Sequence, residues 1–325
     1  MRFNFPLFPE QASTLAGRVD ALYFFLVGVS LFFSLLIFAA VIYLAIKYHH
    51  RAGEEHAPGL VNDNLVLEIT WTVVPLALTM VMFAWGASVY FSMSRPPDNS
   101  LEIFVVGRQW MWKFQHPDGQ REINELHVPL GQPVKLIIAS EDVIHSFYVP
   151  VFRVKQDAVP GRYTTVWFEA TKTGRFHMFC AEYCGTQHSG MIGRIVVLEP
   201  VQYASWLTGG EASAVGTAAA ATLPRAEGSV ADRGRRLFDQ LGCIACHLPD
   251  RQGIGPVLTG VFGSQVRLQD GRTTLADESY VRESILQPQA KITAGFQTQM
   301  PSFQGRINEE ELMQLMAYIK SLGKK

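Results

Sequence analysis

Two long runs without charged residues dominate the first hundred positions of the chain. Residues 21–46 and residues 69–94 contain no Asp, Glu, Lys or Arg and are dense in Leu, Phe, Val and Ile. A helix needs about 20 apolar residues to cross a bilayer core of about 30 Å, and both runs exceed that length. Pro75 lies inside the second run, where a membrane helix tolerates proline better than a soluble one does. The pattern predicts a transmembrane helical hairpin within residues 1–95, with both chain ends on one side of the membrane.

Two other interpretations of these runs compete with the hairpin. Two buried helices of a soluble protein would show a similar composition. A cleaved signal peptide has an apolar core of about 7–15 residues that follows a basic cluster, whereas the first run is longer and has no such cluster before it. Lys47 and Arg51 lie in the predicted connecting loop, but Arg2 and Arg18 precede the first run. Charge therefore leaves the orientation of the hairpin open.

The rest of the chain divides into three parts by pattern. Residues 96–200 contain short runs of β-branched and aromatic residues broken by Gly and Pro, which predicts a β-sandwich or barrel. Residues 201–230 have the Ala- and Gly-rich composition of a linker. Helical patterns return in residues 231–325, where Asn308, with Glu311 three positions later, predicts the start of a final helix.

Composition agrees with a membrane protein that carries folded domains. Hydrophobic residues make up 48% and aromatic residues 11% of the 325-residue chain, which excludes a disordered protein. Charged residues make up 18%, against about 25% in ordinary soluble domains. The chain has 28 Lys and Arg against 29 Asp and Glu, so its net charge of −1 offers no basic footprint for nucleic acid.

One short segment concentrates side chains that bind soft metals. Two thiols, an imidazole and a thioether fall within residues 180–191, and these ligand types suit copper. Two cysteines can bridge two copper ions, and a second histidine must then come from elsewhere in the fold, with His145 as the best candidate. A disulfide between the cysteines and a zinc site were the alternatives, and the methionine disfavours zinc. The candidate ligands in the segment are Cys180, Glu182, Cys184, His188 and Met191.

The remaining histidines are predicted to have no metal role. His127 and His177 lie near the same strands and are predicted to be surface or packed residues. The other four are predicted to be exposed in loops: His49, His50, His56 and His116.

A second metal motif lies in the C-terminal part. Residues 243–247 read C-x-x-C-H, the signature of covalent haem c attachment, in which the Cys243 and Cys246 thiols bond to the haem and His247 reaches the iron. The bare motif also occurs by chance and in zinc sites. Met300 is the candidate for the other axial position, because a Met–His pair raises the haem potential.

Two further methionines follow that candidate ligand. Met313 and Met316 lie on or beside the apolar stripe of the final helix and are predicted to be core residues. With two cysteines assigned to copper and two to haem, all four cysteines of the chain are used. The assignment leaves none for a disulfide.

These motifs resemble subunit II of the haem–copper cytochrome c oxidases. The resemblance rests on C-x-E-x-C-G-x-x-H-x-x-M at 180–191, E-D-V-x-H-S at 141–146, W-M-W at 110–112 and D-A-V-P-G-R at 157–162. It covers residues from about 15 to 200. It implies a cupredoxin-like β-barrel that holds a dinuclear copper A centre.

The resemblance also implies a role for each residue that matches a family motif. Cys180 and Cys184 would bridge the two copper ions, and a set of four groups would complete them: His145, His188, Met191 and the main-chain carbonyl of Glu182. The Glu182 carboxylate would reach a magnesium site shared with subunit I. Trp110 would accept the incoming electron, and Glu68 would lie at the mouth of a proton pathway.

Residues 231–322 resemble class I cytochrome c, an all-α domain. The whole layout resembles the caa type of subunit II: a multi-domain membrane protein with a cytochrome c domain behind the copper domain. The resemblance implies electron transfer from an external cytochrome c or membrane cytochrome complex through haem c and copper A to subunit I, where oxygen is reduced and protons are pumped, with subunit III as a further partner.

Haem attachment bears on where this chain resides. As a rule of the cytochrome family, haem c is attached outside the bacterial cytoplasm. The rule implies a bacterial inner-membrane protein whose two termini and metal domains lie on the periplasmic side.

Two other functions and two arrangements of the haem domain stay open at this point. The chain could serve a copper A nitric oxide reductase, or it could be a membrane-bound electron carrier without a catalytic partner. Net charges of −1 for residues 96–200 and +2 for residues 231–325 predict little affinity between the two domains. A mobile haem domain on a flexible tether is expected, with a rigidly packed domain as the alternative.

Overall fold

The computed structural model describes residues 8–49, 64–209, 228–248, 252–297 and 299–323. It divides into two compact units, Leu15–Arg95 on the one hand and Met1–Thr14 with Pro96–Lys325 on the other. The predicted connecting loop of the hairpin and most of the predicted linker fall on residues 50–63 and 210–227, outside the described residues.

The first unit consists of two long helices, α1 (Ala16–Lys47) and α2 (Leu65–Ser94). Both are long and apolar enough to cross a membrane, and no residue in the most apolar 18-residue stretch of either helix is buried. Helices of a soluble core would bury such stretches, so the alternative of two core helices is not supported. Asn64 caps α2 by accepting a hydrogen bond from Leu67 N at 3.1 Å.

Residues 96–209, all of which are described, form a sandwich of ten strands in two mixed five-stranded sheets. The sheet orders are β3-β2-β1-β5-β8 and β4-β10-β9-β6-β7. The strands are β1 (Leu101–Arg108), β2 (Met111–Gln115), β3 (Arg121–Ile123), β4 (Glu125–Pro129), β5 (Pro133–Ser140), β6 (His145–Val149), β7 (Val154–Ala158), β8 (Thr164–Glu169), β9 (Gly174–Cys180) and β10 (Ile192–Leu198). The predicted cupredoxin-like barrel is confirmed.

Strands β1 and β5 pair in parallel and are buried on both faces. Ile103 and Leu136 are fully buried, and so are their sequence neighbours Phe104 and Ile137, at 4% and 0% exposure. A sheet with one solvated face would alternate apolar and polar residues along these strands. The continuous apolar runs arise because the barrel core covers one face and the C-terminal domain covers the other.

The structure shortens the predicted linker at its N-terminal end. Residues assigned by composition to the linker form helix α3 (Pro200–Leu207) directly after β10. Tyr203 and Trp206 of this helix are each 6% exposed, because they pack against the barrel. An apolar aromatic pair at helical spacing, i and i+3, was the sequence signal for a packed helix.

The C-terminal domain is built from helices α4 (Val230–Gln240), α5 (Glu278–Leu286) and α6 (Glu309–Ser321). It also contains a short two-stranded sheet, β11 (Gln265–Arg267) with β12 (Thr273–Leu275), within a domain predicted to be all-α. The predicted cap of the last helix is confirmed: Asn308 Oδ1 accepts from Glu311 N, and Glu311 Oε2 accepts from Asn308 N, both at 2.9 Å.

Candidate metal centres

Pairing between strands brings the separated soft ligands to one end of the barrel. His145 begins β6 and Cys180 ends β9, and these two strands are antiparallel neighbours. The following loop carries Cys184 and His188, and Met191 lies directly before β10. His145, Cys184 and Met191 are buried at 0%, 3% and 1% exposure. The sequence-predicted ligands therefore share one enclosed site.

Distances within this cluster suit metal binding. The sulfur atoms of Cys180 and Cys184 lie 3.7 Å apart, far longer than a disulfide bond of about 2.05 Å. His145 Nδ1 lies 4.0 Å from Cys180 Sγ, and His188 Nδ1 lies 3.4 Å from Cys184 Sγ. Met191 Sδ lies 3.8 Å from Cys184 Sγ. Two thiols flanked by two imidazoles and a thioether form a donor set that fits copper.

The backbone adds one further donor to the cluster. The carbonyl oxygen of Glu182 lies 3.2 Å from Cys180 Sγ. The side chain of Glu182 is exposed, so the residue presents its carbonyl to the cluster while the carboxylate remains accessible from outside.

The two thiols differ in acidity because they share one small space. Burial raises the pKa of the Cys180 thiol, but hydrogen bonds with His145 and with backbone groups outweigh burial and lower the pKa to about 6. Burial and the neighbouring Cys180 raise the pKa of Cys184 to about 12. Two thiolates at this separation repel each other, so a cation must bind between them for both to ionise.

Asp142 orients His145 from behind. His145 Nε2 donates to Asp142 Oδ1 at 2.8 Å, which turns Nδ1 toward Cys180. Burial raises the pKa of Asp142, but hydrogen bonds from Gln109 N and His145 outweigh burial and hold the pKa below its usual range. A carboxylate behind a histidine ligand fixes its tautomer and raises its basicity.

Trp110, the predicted electron-accepting residue, lies beside the cluster. Trp110 Nε1 and Gln109 Nε2 both donate to the carbonyl oxygen of Cys184, at 3.1 and 2.8 Å. Gly185 follows with a φ of +117°, and a Cβ there would lie 3.0 Å from Gln109 Nε2 and 3.1 Å from the Trp110 ring. A glycine is therefore required for the indole to approach the cluster. Glu68 belongs to the other unit and lies in the first turn of α2.

The second motif lines a cavity of about 310 Å³ in the C-terminal domain. The volume is within the range of cofactor pockets, and the lining is predominantly apolar. All four predicted haem residues line this cavity: Cys243, Cys246, His247 and Met300. Met313 and Met316 are 0% and 1% exposed in the core, as predicted.

His247 is held in the orientation that iron binding requires. Its Nδ1 donates to the carbonyl oxygen of Pro256 at 2.9 Å, which leaves Nε2 as the free lone pair. A Cβ on Gly255 would lie 2.7 Å from the His247 ring, so only glycine fits beside it. The donor set and the cavity fit a covalently attached haem with His and Met axial ligands.

A cluster of buried titratable residues was not predicted. His116, predicted to be exposed in a loop, is fully buried, and that prediction is wrong. Its Nε2 donates to Glu122 Oε1 at 2.8 Å, and His127 Nδ1 donates to Glu122 Oε2 at 2.5 Å. Burial raises the pKa of Glu122, but these hydrogen bonds outweigh burial and hold it below its usual range. Tyr203 and Trp206 of α3 cover both imidazoles, so the cluster attaches α3 to the barrel.

Comparison with known proteins matches both domains. Residues 120–199 match the family described as cytochrome c oxidase subunit II, periplasmic domain, and residues 231–323 match cytochrome c. Cytochrome c oxidase subunit 2 of Alkalihalophilus pseudofirmus is 30% identical over 301 residues, covering 89% of this chain and 82% of that protein. The chain belongs to the cytochrome c oxidase subunit II family. Subunit 2 of Thermostichus vulcanus is 31% identical over 253 residues, which cover 62% of this chain and 77% of that protein.

One solved structure is similar in sequence to part of this chain. The periplasmic domain of subunit II of cytochrome oxidase from Bradyrhizobium japonicum is 34% identical, and the match covers 36% of this chain and 97% of that chain with a TM-score of 0.34.

Family membership supplies the coarse assignment of cofactors and location. A subunit II periplasmic domain implies copper A, and a cytochrome c domain implies haem c. Together with the two apolar helices, membership makes the chain a two-span membrane protein with periplasmic domains and a partner of the other oxidase subunits.

Proposed function

We propose that this chain is the electron-accepting subunit of a caa-type haem–copper oxidase. When bound, haem c and dinuclear copper A supply one-electron redox chemistry, and the proposed route runs from an external donor through haem c and copper A to subunit I. Oxygen reduction and proton pumping belong to subunit I in this proposal. The donor would be a cytochrome c or a membrane cytochrome complex, and subunit III is the other expected partner.

The observation that carries the proposal is the presence of two complementary redox sites in one chain. A buried pair of thiols 3.7 Å apart lies in the barrel, and a C-x-x-C-H motif lines an apolar cavity in the following domain. A membrane carrier without a catalytic partner needs only one redox site. Two sites in series support a relay into a larger complex.

In the proposed copper site, the chain holds the metal in a rigid frame. Cys180 and Cys184 would hold the copper ions together with His145, His188, Met191 and the carbonyl of Glu182. Asp142 keeps His145 in the metal-binding tautomer. His145 begins β6, Cys180 ends β9 and Met191 directly precedes β10, and anchoring to strands favours fast one-electron transfer because it limits rearrangement of the surrounding groups.

Three residues are proposed to connect the sites with their surroundings. Trp110, whose indole donates to the Cys184 carbonyl, accepts the incoming electron beside the copper ligands. The exposed Glu182 carboxylate binds magnesium together with subunit I. Glu68, in the first turn of α2, lies at the mouth of a proton pathway in subunit I.

The topology of the proposal follows from haem attachment. Cys243 and Cys246 would attach the haem on the periplasmic side, and His247 and Met300 would hold its iron. Both termini then lie outside the bacterial inner membrane. The loop between α1 and α2 lies in the cytoplasm.

The test is purification of the full chain with its partners in mild detergent. We expect an oxidase subunit I to co-purify, two copper ions for each haem c, and oxygen uptake with reduced cytochrome c as donor. Nitric oxide consumption without oxygen uptake would identify a nitric oxide reductase instead. Loss of every partner in the mildest detergent, with both cofactors retained, would identify a free carrier.

A further inference from the structure

The outward face of β1 and β5 is buried under the cytochrome domain. Phe104 and Val106 on β1 and Ile137 on β5 are 4%, 2% and 0% exposed, and they share one apolar cluster with α4, α5 and α6. Met313 of α6 lines a small cavity together with Phe104 and Val106. Apolar residues on this outward face are therefore covered by the domain that follows.

Four charged side chains form an alternating ring at one end of this contact. Lys135 lies 3.0 Å from Glu102 and 3.3 Å from Glu278, while Lys320 lies 2.8 Å from Glu102 and 2.9 Å from Glu278. Each domain contributes one lysine and one glutamate to the ring. The side chains are between 14% and 35% exposed. A network of this kind is a more specific contact than isolated surface ion pairs.

The other end of α6 has its own charged contacts. Glu310 pairs with Lys113, at 3.2 Å, and with Arg121 of the barrel. On α5, the Arg282 guanidinium donates to the carbonyl oxygen of Gly161 at 2.6 Å. Contacts at both ends of α6 fix the orientation of the cytochrome domain on the sheet.

The haem cavity lies on the other side of the same helix. Leu315 and Ile319 line the cavity, whereas Met313 and Lys320 face the barrel. Leu315 follows Met313 by two positions, which places it about 200° around the helix. Helix α6 therefore separates the docked face of the domain from its haem-binding face.

The rim of the cavity remains accessible in this arrangement. Gln299 and Pro301, on either side of the candidate ligand Met300, line the cavity and are exposed. A protein that approaches this rim does not have to displace α6 from the barrel.

We propose that the cytochrome domain works while docked on the β1–β5 face and receives electrons at the exposed rim of its haem cavity. The role of the rim rests on the proposed function, whereas the docking does not. Small net charges predicted little affinity between the domains. That prediction used the net charge of each whole domain. The affinity depends instead on the local ring of charges and on the buried apolar face.

Zero-length crosslinking of the full detergent-solubilised complex tests the proposal. A carbodiimide joins a lysine amine to a carboxylate as an amide, with loss of water, only when the two groups touch. We expect crosslinked peptides that join Lys320 to Glu102 and Lys113 to Glu310, identified by mass spectrometry. Oxygen uptake by the crosslinked complex should stay within about twofold of its control.

The matched control is the Lys113→Arg, Lys135→Arg, Lys320→Arg triple variant treated with the same carbodiimide. It lacks the crosslinkable amines of the three interdomain lysines but keeps their positive charges, and it carries the same modification of other carboxylates. If the wild-type crosslinks form and turnover falls at least about tenfold below this control, the domain must leave the barrel to work, and the proposal is wrong.

A cut in the chain provides a second measurement that does not depend on activity. After a protease site is introduced within residues 210–227 and cleaved, we expect the haem domain to co-elute with the remainder on a sizing column. Lys320→Glu should weaken this retention at least about tenfold, because it opposes Glu102 and Glu278. Arg272→Glu, an exposed charge reversal in the same domain at a residue that pairs with its near neighbour Asp270, should not weaken the retention.

The outcomes separate docking from function. Missing interdomain crosslinks, or immediate dissociation of the cut wild-type protein, would overturn docking and leave the proposed oxidase role intact. Normal crosslinks in a complex without oxygen uptake would overturn the role of the rim together with the proposed function.

Discussion

At the scale of single residues, Cys184 is the strictest test of the copper site. It is 3% exposed and lies within 3.8 Å of three other candidate ligand atoms. Cys184→Ser should abolish dinuclear copper binding, because a hydroxyl is a poor bridge for a soft metal. Copper content and the near-infrared absorption of the centre would show the loss, while haem c content should not change.

Thr186→Ser is the matched control for Cys184→Ser. Thr186 is exposed in the same loop and contributes no predicted ligand, so copper should bind normally. An unaltered near-infrared band in Cys184→Ser would remove Cys184 from the metal site.

Glu68 has two competing explanations at the same scale. A carboxylate in the first turn of α2 is stabilised by the helix dipole, and this alone would account for it. An acidic residue at the end of a membrane helix is also a candidate proton donor. We expect Glu68→Ala to slow oxygen turnover about tenfold or more, as loss of proton transfer commonly does, without altering electron transfer from haem to copper.

Steady-state oxygen uptake across pH and flash-induced electron transfer would be measured on the same Glu68→Ala preparation. Glu68→Asp, which keeps the carboxylate, should retain most of the turnover. Normal turnover of Glu68→Ala at every pH would show that this residue only stabilises the start of α2.

At the scale of secondary-structure elements, the crossing of α4 and α6 depends on Gly234. A Cβ at this position would lie 1.9 Å from the carbonyl oxygen of Gln314 and 2.8 Å from Tyr318 Cβ. Gly234→Ala gains about 1 kcal/mol of helix propensity. The clash is with backbone atoms, which cannot move aside locally. We therefore expect the free energy of unfolding to fall by about 1–3 kcal/mol in total.

Chemical denaturation of the haem domain within the full chain, followed by haem absorption, would measure this loss. Arg235→Ala is the control, because Arg235 is exposed on the same helix. If Gly234→Ala is as stable as Arg235→Ala, the helices are not in this contact.

At the scale of the whole molecule, docking should respond to acid. Burial raises the pKa of Glu102, but Lys320 and Lys135 outweigh burial and lower the pKa below its ordinary value of 4.5. The same balance lowers the pKa of Glu278. A carboxylate whose pKa is lower in the docked form than in the undocked form stabilises docking at pH values above its undocked pKa. This stabilisation is lost as the pH falls through the docked pKa.

Sedimentation of the cut protein should therefore show a docked haem domain from neutral pH down to about pH 5 and release below about pH 4.5. Circular dichroism would verify that both pieces stay folded. The Glu102→Gln, Glu278→Gln double variant should lose this acid step. If the wild-type domain is already released between pH 7 and pH 6, a titratable group other than Glu102 and Glu278 causes the undocking.

The sequence alone was sufficient to predict a feature wherever the residues that form it are close together in the chain. The two membrane helices follow from local composition, because a bilayer selects for apolar length. Four of the five side chains proposed to bind copper lie within residues 180–191, and three of the four proposed haem residues lie within residues 243–247. The cap of α6 is likewise a contact between Asn308 and Glu311, three residues apart. Residues that are neighbours in the sequence stay neighbours in any fold, so such short patterns can be recognised without the structure.

The tertiary structure decided everything that joins distant residues. Residue types alone do not specify which strands become neighbours, so only the pairing of β6 with β9 placed His145 beside Cys180, 35 positions later. His116 is buried because α3 packs over it. Helix α3 was not predicted, because its residues fall in a segment with the composition of a linker. The small net charges predicted little affinity between the two domains. In the folded chain, however, Lys135 and Lys320 form ion pairs with two glutamates. Contact energies depend on distance and burial, and only the folded chain sets these two quantities.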